Sequence, residues 1–127
     1  MAAFSDYLEA KVLDDNLKDG TPYIALHTAA SGPGDTGANE IASSGYARQA
    51  ATFGAAGTDG AGKKSATTAD ITFPTAGESW GELGYISIWD DVTGGNCLFV
   101  AALTANKTVG SGEQLKFASG EISIKVE

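Results

Sequence analysis

Residues 4–28 read FSDYLEAKVLDDNLKDGTPYIALHT, and within them the hydrophobic period changes from 3.6 to 2. Phe4, Tyr7, Leu8 and Val12 recur at three and four residues, and Leu13 and Leu17 continue the stripe one turn later, which predicts an amphipathic helix over about 5–18. Ser5 or Asp6 can cap its start, Asp6 with Glu9 three residues on, and Gly20 followed by Pro22 marks its end. Asp14 and Asp15 oppose the helix dipole at the C-terminal end, so packing has to hold the last turn. From Pro22 onward Ile24 and Leu26 share one face of a strand over 23–28.

The period of 2 then persists. Further strands are predicted over 46–53, 68–73, 83–89, 97–103, 113–117 and 121–126. In the last of these Ile122, Ile124 and Val126 alternate with Ser123, Lys125 and Glu127, the pattern of a half-buried strand. Residues 91–96 (DVTGGN) and 118–120 (ASG) read as hairpin turns. Two stretches of 17 residues, 29–45 and 54–70, hold eight of the 17 glycines and almost no large apolar residue, and both read as long loops. Such loops are either mobile surface excursions or segments that order against another subunit. The chain is therefore expected to be a single domain, 1–127, with a β region over about 22–127. Its fold class is mainly β, an antiparallel β-sandwich or barrel of about seven short strands with one N-terminal α-helix.

Composition bounds the function. The 127 residues carry a net charge of −8, with Lys63-Lys64 the densest basic cluster, so nucleic acid and anionic membranes are excluded as partners. The start lacks a basic segment followed by an apolar run, and the expectation is a soluble protein made in the cytoplasm without a signal peptide. Leu, Ile, Val and Phe together make only 25 residues, so the core is thin and self-association or a partner surface is expected to add burial. One cysteine, Cys97, precludes an intrachain disulfide and reads as a small buried hydrophobe.

No spaced catalytic set emerges. His27 is the single histidine, with no Cys or acidic neighbour at ligand spacing and no nucleophile-elbow motif, and reads as structural. Asp90 and Asp91 before a Gly-rich turn superficially resemble a calcium loop, but the spacing is not that of an EF-hand. Glu78, Glu82, Asp90 and Asp91 are the carboxylates from which a glycosidase pair would have to come. GTDGAG at 57–62 before Lys63-Lys64-Ser65 fails the phosphate-loop spacing and has strand signals on both sides. Neither catalytic residues nor metal ligands nor cofactors are assigned. Arg48, the single arginine, is suited to a bidentate carboxylate pair, within the chain or between subunits. Alternation puts Tyr85 and Trp89 on one strand face and Ile86 and Ile88 on the other. The candidate interface residues are Asp35, Glu40, Arg48, Asp59, Tyr85 and Trp89.

The ordered segments YLEAKVLD, YIALHTA, GYARQ, ADITFP with a following WG, TGGNCLF, ALTANKTV and SGEQLKF, closed by the alternating strand, resemble a family of small tailed-bacteriophage virion proteins commonly labelled tail-fibre or minor tail proteins. The resemblance spans nearly the whole chain. It implies a non-enzymatic structural protein of the virion, with major capsid or tail proteins of the same particle as partners. A fibre stalk needs repeats or heptads, and this sequence has neither. The expectation is thus a cement protein decorating the head, ranked ahead of a small tail-fibre or tail adaptor, working as a homo-oligomer, with a trimer as the guess from virion symmetry. The alternative is a carbohydrate- or receptor-binding module of the tail, built on exposed aromatics.

Overall fold

The computed structural model describes residues 3–126. Ser5 caps helix α1 (Asp6–Leu13), its hydroxyl accepting from the Leu8 N–H at 3.2 Å, and a π-helical turn (Asp14–Lys18) carries the helix to the expected end. Nine strands follow: β1 (Tyr23–Thr28), β2 (Gln49–Ala50), β3 (Gly57–Asp59), β4 (Gly62–Ala66), β5 (Ile71–Thr72), β6 (Gly81–Trp89), β7 (Cys97–Val109), β8 (Lys116–Phe117) and β9 (Ser123–Val126). They form antiparallel sheets in the orders β2-β1-β6-β7, β3-β4-β9 and β5-β8. The arrangement is mainly β and sandwich-like, as the alternation predicts.

The core lies between the four-stranded sheet on one side and the smaller sheets with α1 on the other. Ile24, Leu26, Ile86 and Ile88 enter it from β1 and β6, and Phe53, Phe73, Leu115, Phe117, Ile122 and Ile124 meet them. Phe73 lies edge-on to Phe117 and stacked on Tyr46, whose other neighbour is Trp80. The alternation in β9 appears as read, with Ile122 and Ile124 buried and Ser123 and Lys125 exposed, while Glu127 lies outside the described residues.

Four expectations need correction. Residues 54–70 are not a loop: β3 and β4 form a hairpin within them, which β9 extends into a sheet. Segments 46–53, 68–73 and 113–117 contribute only two-residue strands, because their outer residues leave the ladder for side-chain and turn contacts. Residues 118–120 do not close a hairpin. Gly120 donates to the Thr67 carbonyl at 2.8 Å and Ser119 to Asp70 at 2.9 Å, and this pinned turn sends the chain from β8, paired with β5, to β9, paired with β4. Finally, α1 is rotated from the expected stripe. It buries Glu9 and Leu13, with Leu17 in the following turn, against β4 and β9, and leaves Phe4, Tyr7 and Leu8 exposed. Leu13 and Leu17 reach the core, and Asp14 accepts from the Ala56 N–H at 2.8 Å, which fixes the rotation.

Candidate functional site

The face of β1 and β6 turned away from the core presents His27, Tyr85, Ser87 and Trp89, because alternation sends Ile86 and Ile88 inward. Residues 29–45 lie over this face. The Ile41 N–H donates to the Leu26 carbonyl at 3.0 Å, Glu40 bridges to His27, and Pro33 and Gly37 are buried. Gly37 is required twice: its φ is +73°, and a Cβ there would lie 2.4 Å from the Trp89 ring. The first long stretch is thus a loop, as read, and it folds against its own sheet.

Arg48 ties this loop down. Its Nε and Nη2 donate to the two oxygens of Glu40 at 2.9 and 2.8 Å, and its Nη1 donates to the carbonyls of Asp91 and Gly94, both at 2.9 Å. The guanidinium also sits 4.1 Å above the Trp89 ring centre. Tyr46 donates its hydroxyl proton to Glu40 and accepts from the Leu26 N–H at 3.1 Å. Burial would raise the Glu40 pKa, but the Arg48 and Tyr46 hydrogen bonds outweigh it and hold the carboxyl below its ordinary value. Burial, reinforced by the bond to Glu40, pushes the Tyr46 phenol upward.

A second chain of bonds runs beside the first. Trp89 donates through Nε1 to the Ser87 hydroxyl at 2.7 Å, and that hydroxyl lies 2.7 Å from His27 Nε2. The Ser87 hydroxyl accepts from Trp89, and its role toward Nε2, donor or second acceptor, follows the imidazole tautomer. His27 is fully buried with the backbone of Ala38 and Asn39 beside its ring; burial lowers its pKa, and those backbone groups and Glu40 oppose the shift only in part.

Chemically, the arrangement is a clamp. Four N–H bonds of Arg48 are spent on Glu40 and on the β6–β7 turn, so the guanidinium has little left for a ligand. Burial pushes the Cys97 thiol pKa up, away from the reactive thiolate. Of the carboxylates weighed for calcium or hydrolysis, Asp90 and Glu78 hold backbone N–H groups in place. Asp90 accepts from the Asn96 N–H at 2.7 Å and from its amide at 2.9 Å, bonds that depress its pKa and close the β6–β7 turn, and Glu78 accepts from the Ser44 N–H at 2.8 Å. Among the described residues no three His, Cys, Asp or Glu side chains are grouped to hold a metal, and no helix is long and apolar enough to cross a membrane.

Of the six candidate residues, the structure joins Glu40, Arg48 and Trp89 in one cluster, with Tyr85 half-buried beside it under Gly32. Asp35 stands exposed on the loop, while Asp59 lies on β3, 3.8 Å from Lys125. Sequence reasoning missed Ser87, whose hydroxyl joins the cluster to β6, and weighed Tyr46 only as one of several aromatics, whereas its hydroxyl joins the cluster to β1.

A scan of family models matches residues 3–125 to one described as "Podophage GP4 fiber I protein gp80". The chain belongs to this podophage fibre family. No curated protein matches it. The match covers α1 and every strand through all but the final residue of β9. Membership makes the protein a phage fibre component, in a family that is structural and not a known enzyme class.

Proposed function

We propose that the protein is a non-enzymatic structural subunit of the tailed-phage particle, attached as a compact module to neighbouring virion proteins. The observation that carries this reading is the fibre-family match across the whole fold. The clamp supports it, since its charged groups are consumed in holding the loop, the β6–β7 turn and the sheet together. The attachment contacts in this reading are two, on opposite sides of the sandwich: the exposed part of the loop around Asp35 on one, and the β3–β4 hairpin with Asp59 beside the exposed Phe4, Tyr7 and Leu8 on the other. The apolar face supplies contact area and the acidic groups meet basic groups on the partner, so attachment weakens with salt.

Two locations fit a compact module without a stalk: an adaptor in the fibre assembly at the tail, and decoration of the head lattice. Copy number separates them, because a head lattice takes hundreds of subunits and a tail takes few. Quantifying this protein against the major capsid protein in purified virions decides the location. Replacing Asp35 and Asp59 together by Lys should lower occupancy of the particle at low salt and flatten its salt dependence. Unchanged occupancy across the salt series would remove the acidic surface from the reading.

A further inference from the structure

We infer that β7 is a self-pairing edge, at which a second copy of this chain adds antiparallel about a two-fold axis centred on Val100. Among the described residues β7 is the outer strand of the four-stranded sheet and pairs only with β6. An edge strand presents unpaired N–H and C=O groups, and proteins that must stay apart blunt such edges with charges, proline or bulges. Here the ladder is bulged opposite Trp89 and again opposite Gly84, where Leu83 pairs with Lys107 and Tyr85 with Ala102. Between these bulges Phe99, Val100, Ala101 and Ala102 run in regular register with Ile88, Ser87, Ile86 and Tyr85. That segment carries neither charge nor proline, and Val100 is 37% exposed.

Charge favours a copy of the same chain. The molecule has a net charge of −8, which opposes self-association over most of its surface, yet residues 97–112 contain no acidic side chain. Two β7 strands can therefore meet without like-charge repulsion. Shape supports the same occupant. Beside the edge, on the face carrying Val100 and Ala102, Pro33 and Tyr85 help line an open depression of about 430 Å³. Centring the axis on Val100 sets Val100 against itself and pairs Phe99 of each copy with Ala101 of the other, within the regular segment, and brings Leu98 of the second copy, at its bulge, toward Ala102 and this depression. The regular segment is short, so the dimer is weak in solution and strengthened where many copies are held close together on a particle. The symmetry is two-fold, unlike the trimer expected above. The inference does not depend on where in the virion the protein sits.

The test uses the whole chain free in solution. Sedimentation over a wide concentration range should show a monomer–dimer equilibrium. V100K and V100E should each weaken it roughly tenfold by setting like charges opposite one another, and an equimolar mixture of the two should restore it. Val100 is exposed enough that both variants keep the thermal midpoint of the parent, which separates loss of pairing from loss of fold. In a C97S background, V100C should form a covalent dimer on mild oxidation. A chain that stays monomeric at the highest concentration with V100C uncrosslinked, a trimer, or an association indifferent to V100K and V100E would each overturn the inference.

Discussion

The two glycine-rich stretches, 29–45 and 54–70, have the same length and the same number of glycines, yet one stays a loop and the other becomes half of a sheet. The difference lies in what stands between the glycines. Residues 33–40 (PGDTGANE) supply a proline, turn formers and two glycines at positive φ, so the backbone cannot run extended and depends on side chains to hold it. Residues 62–66 (GKKSA) contain neither proline nor a positive-φ residue, and they run extended between β3 and β9. Ladder hydrogen bonds fix the second stretch, whereas the Glu40–Arg48 clamp fixes the first. A flexible composition therefore does not imply a flexible segment, and the two stretches should fail in different ways.

The largest effect should come from Arg48→Ala. The Arg48 side chain is 8% exposed and that of Glu40 22%, so the substitution strands a mostly buried carboxylate and frees the two carbonyls of the β6–β7 turn. Breaking one partner of such a pair costs about 3–5 kcal/mol, a large share of a small domain's stability. Urea unfolding gives the magnitude. Limited proteolysis gives the location, with new cleavage expected at residues 30–40 and none within 57–66. Equal cleavage in both would mean that the two stretches share one source of order.

The next contrast is with pH. Glu40 has its pKa depressed in the folded protein, so its contribution is present above the ordinary value of 4.5 and is lost as pH falls through the lower folded value. The His27 pKa is also lowered: the unfolded chain takes up a proton near 6.5 while the folded ring resists it, so stability begins to fall as pH drops below 6.5. Both groups lie at the loop, whereas β3 and β4 are held by ladder hydrogen bonds and by the Ser65 hydroxyl on the Gly54 carbonyl. Amide protection factors, corrected for the intrinsic pH dependence of exchange, should therefore fall at residues 38–41 between pH 6.5 and 5 while those of β3 and β4 hold. Carrying His27→Gln should remove the first part of that acid response, and a response that survives it would assign the titration to another group.

This asymmetry also marks what the sequence made legible. β1, β6 and β9 announce themselves because their apolar residues alternate, β7 by the continuous apolar run over 97–103, short of its full extent to Val109, and Ser5, Gly20 and Pro22 bracket the helix. The β3–β4 hairpin carries no such signal. Its buried positions are Gly62, Ser65 and Thr67, polar or without a side chain, and they count as inward-facing only once β9 and α1 supply the other side. Arg48 stands out as the single arginine and Glu40 as one acid in a loop, but their pairing depends on the Glu40–His27 bridge, a tertiary fact. Gly37 looks like any other glycine until the Trp89 ring is placed against it. The rotation of α1 was hidden for a related reason: hydrophobicity alone favours burying Phe4, Tyr7 and Leu8, whereas Leu13 and Leu17 have the core within reach.

The smallest effect should come from the hairpin itself. Ser65 is buried and donates its hydroxyl to the Gly54 carbonyl at 2.7 Å, fastening the entry of the stretch to β4. Ser65→Ala leaves that carbonyl without the hydroxyl while keeping the backbone pairing to Ile124, because the alanine methyl fits where the larger side chain already did. The cost is that of one unmet buried acceptor, about 1 kcal/mol, well below the Arg48→Ala loss. A shift of the urea midpoint by that amount, with an unchanged slope and unchanged proteolysis at 57–66, would show that ladder bonds dominate here. A loss as large as that of Arg48→Ala would mean that the hairpin, like the loop, hangs on a single side chain, and the proposed contrast between the two stretches would collapse. The exposed Asp59–Lys125 contact at 3.8 Å does not alter this expectation, since surface ion pairs contribute about 0–1 kcal/mol and are screened by salt.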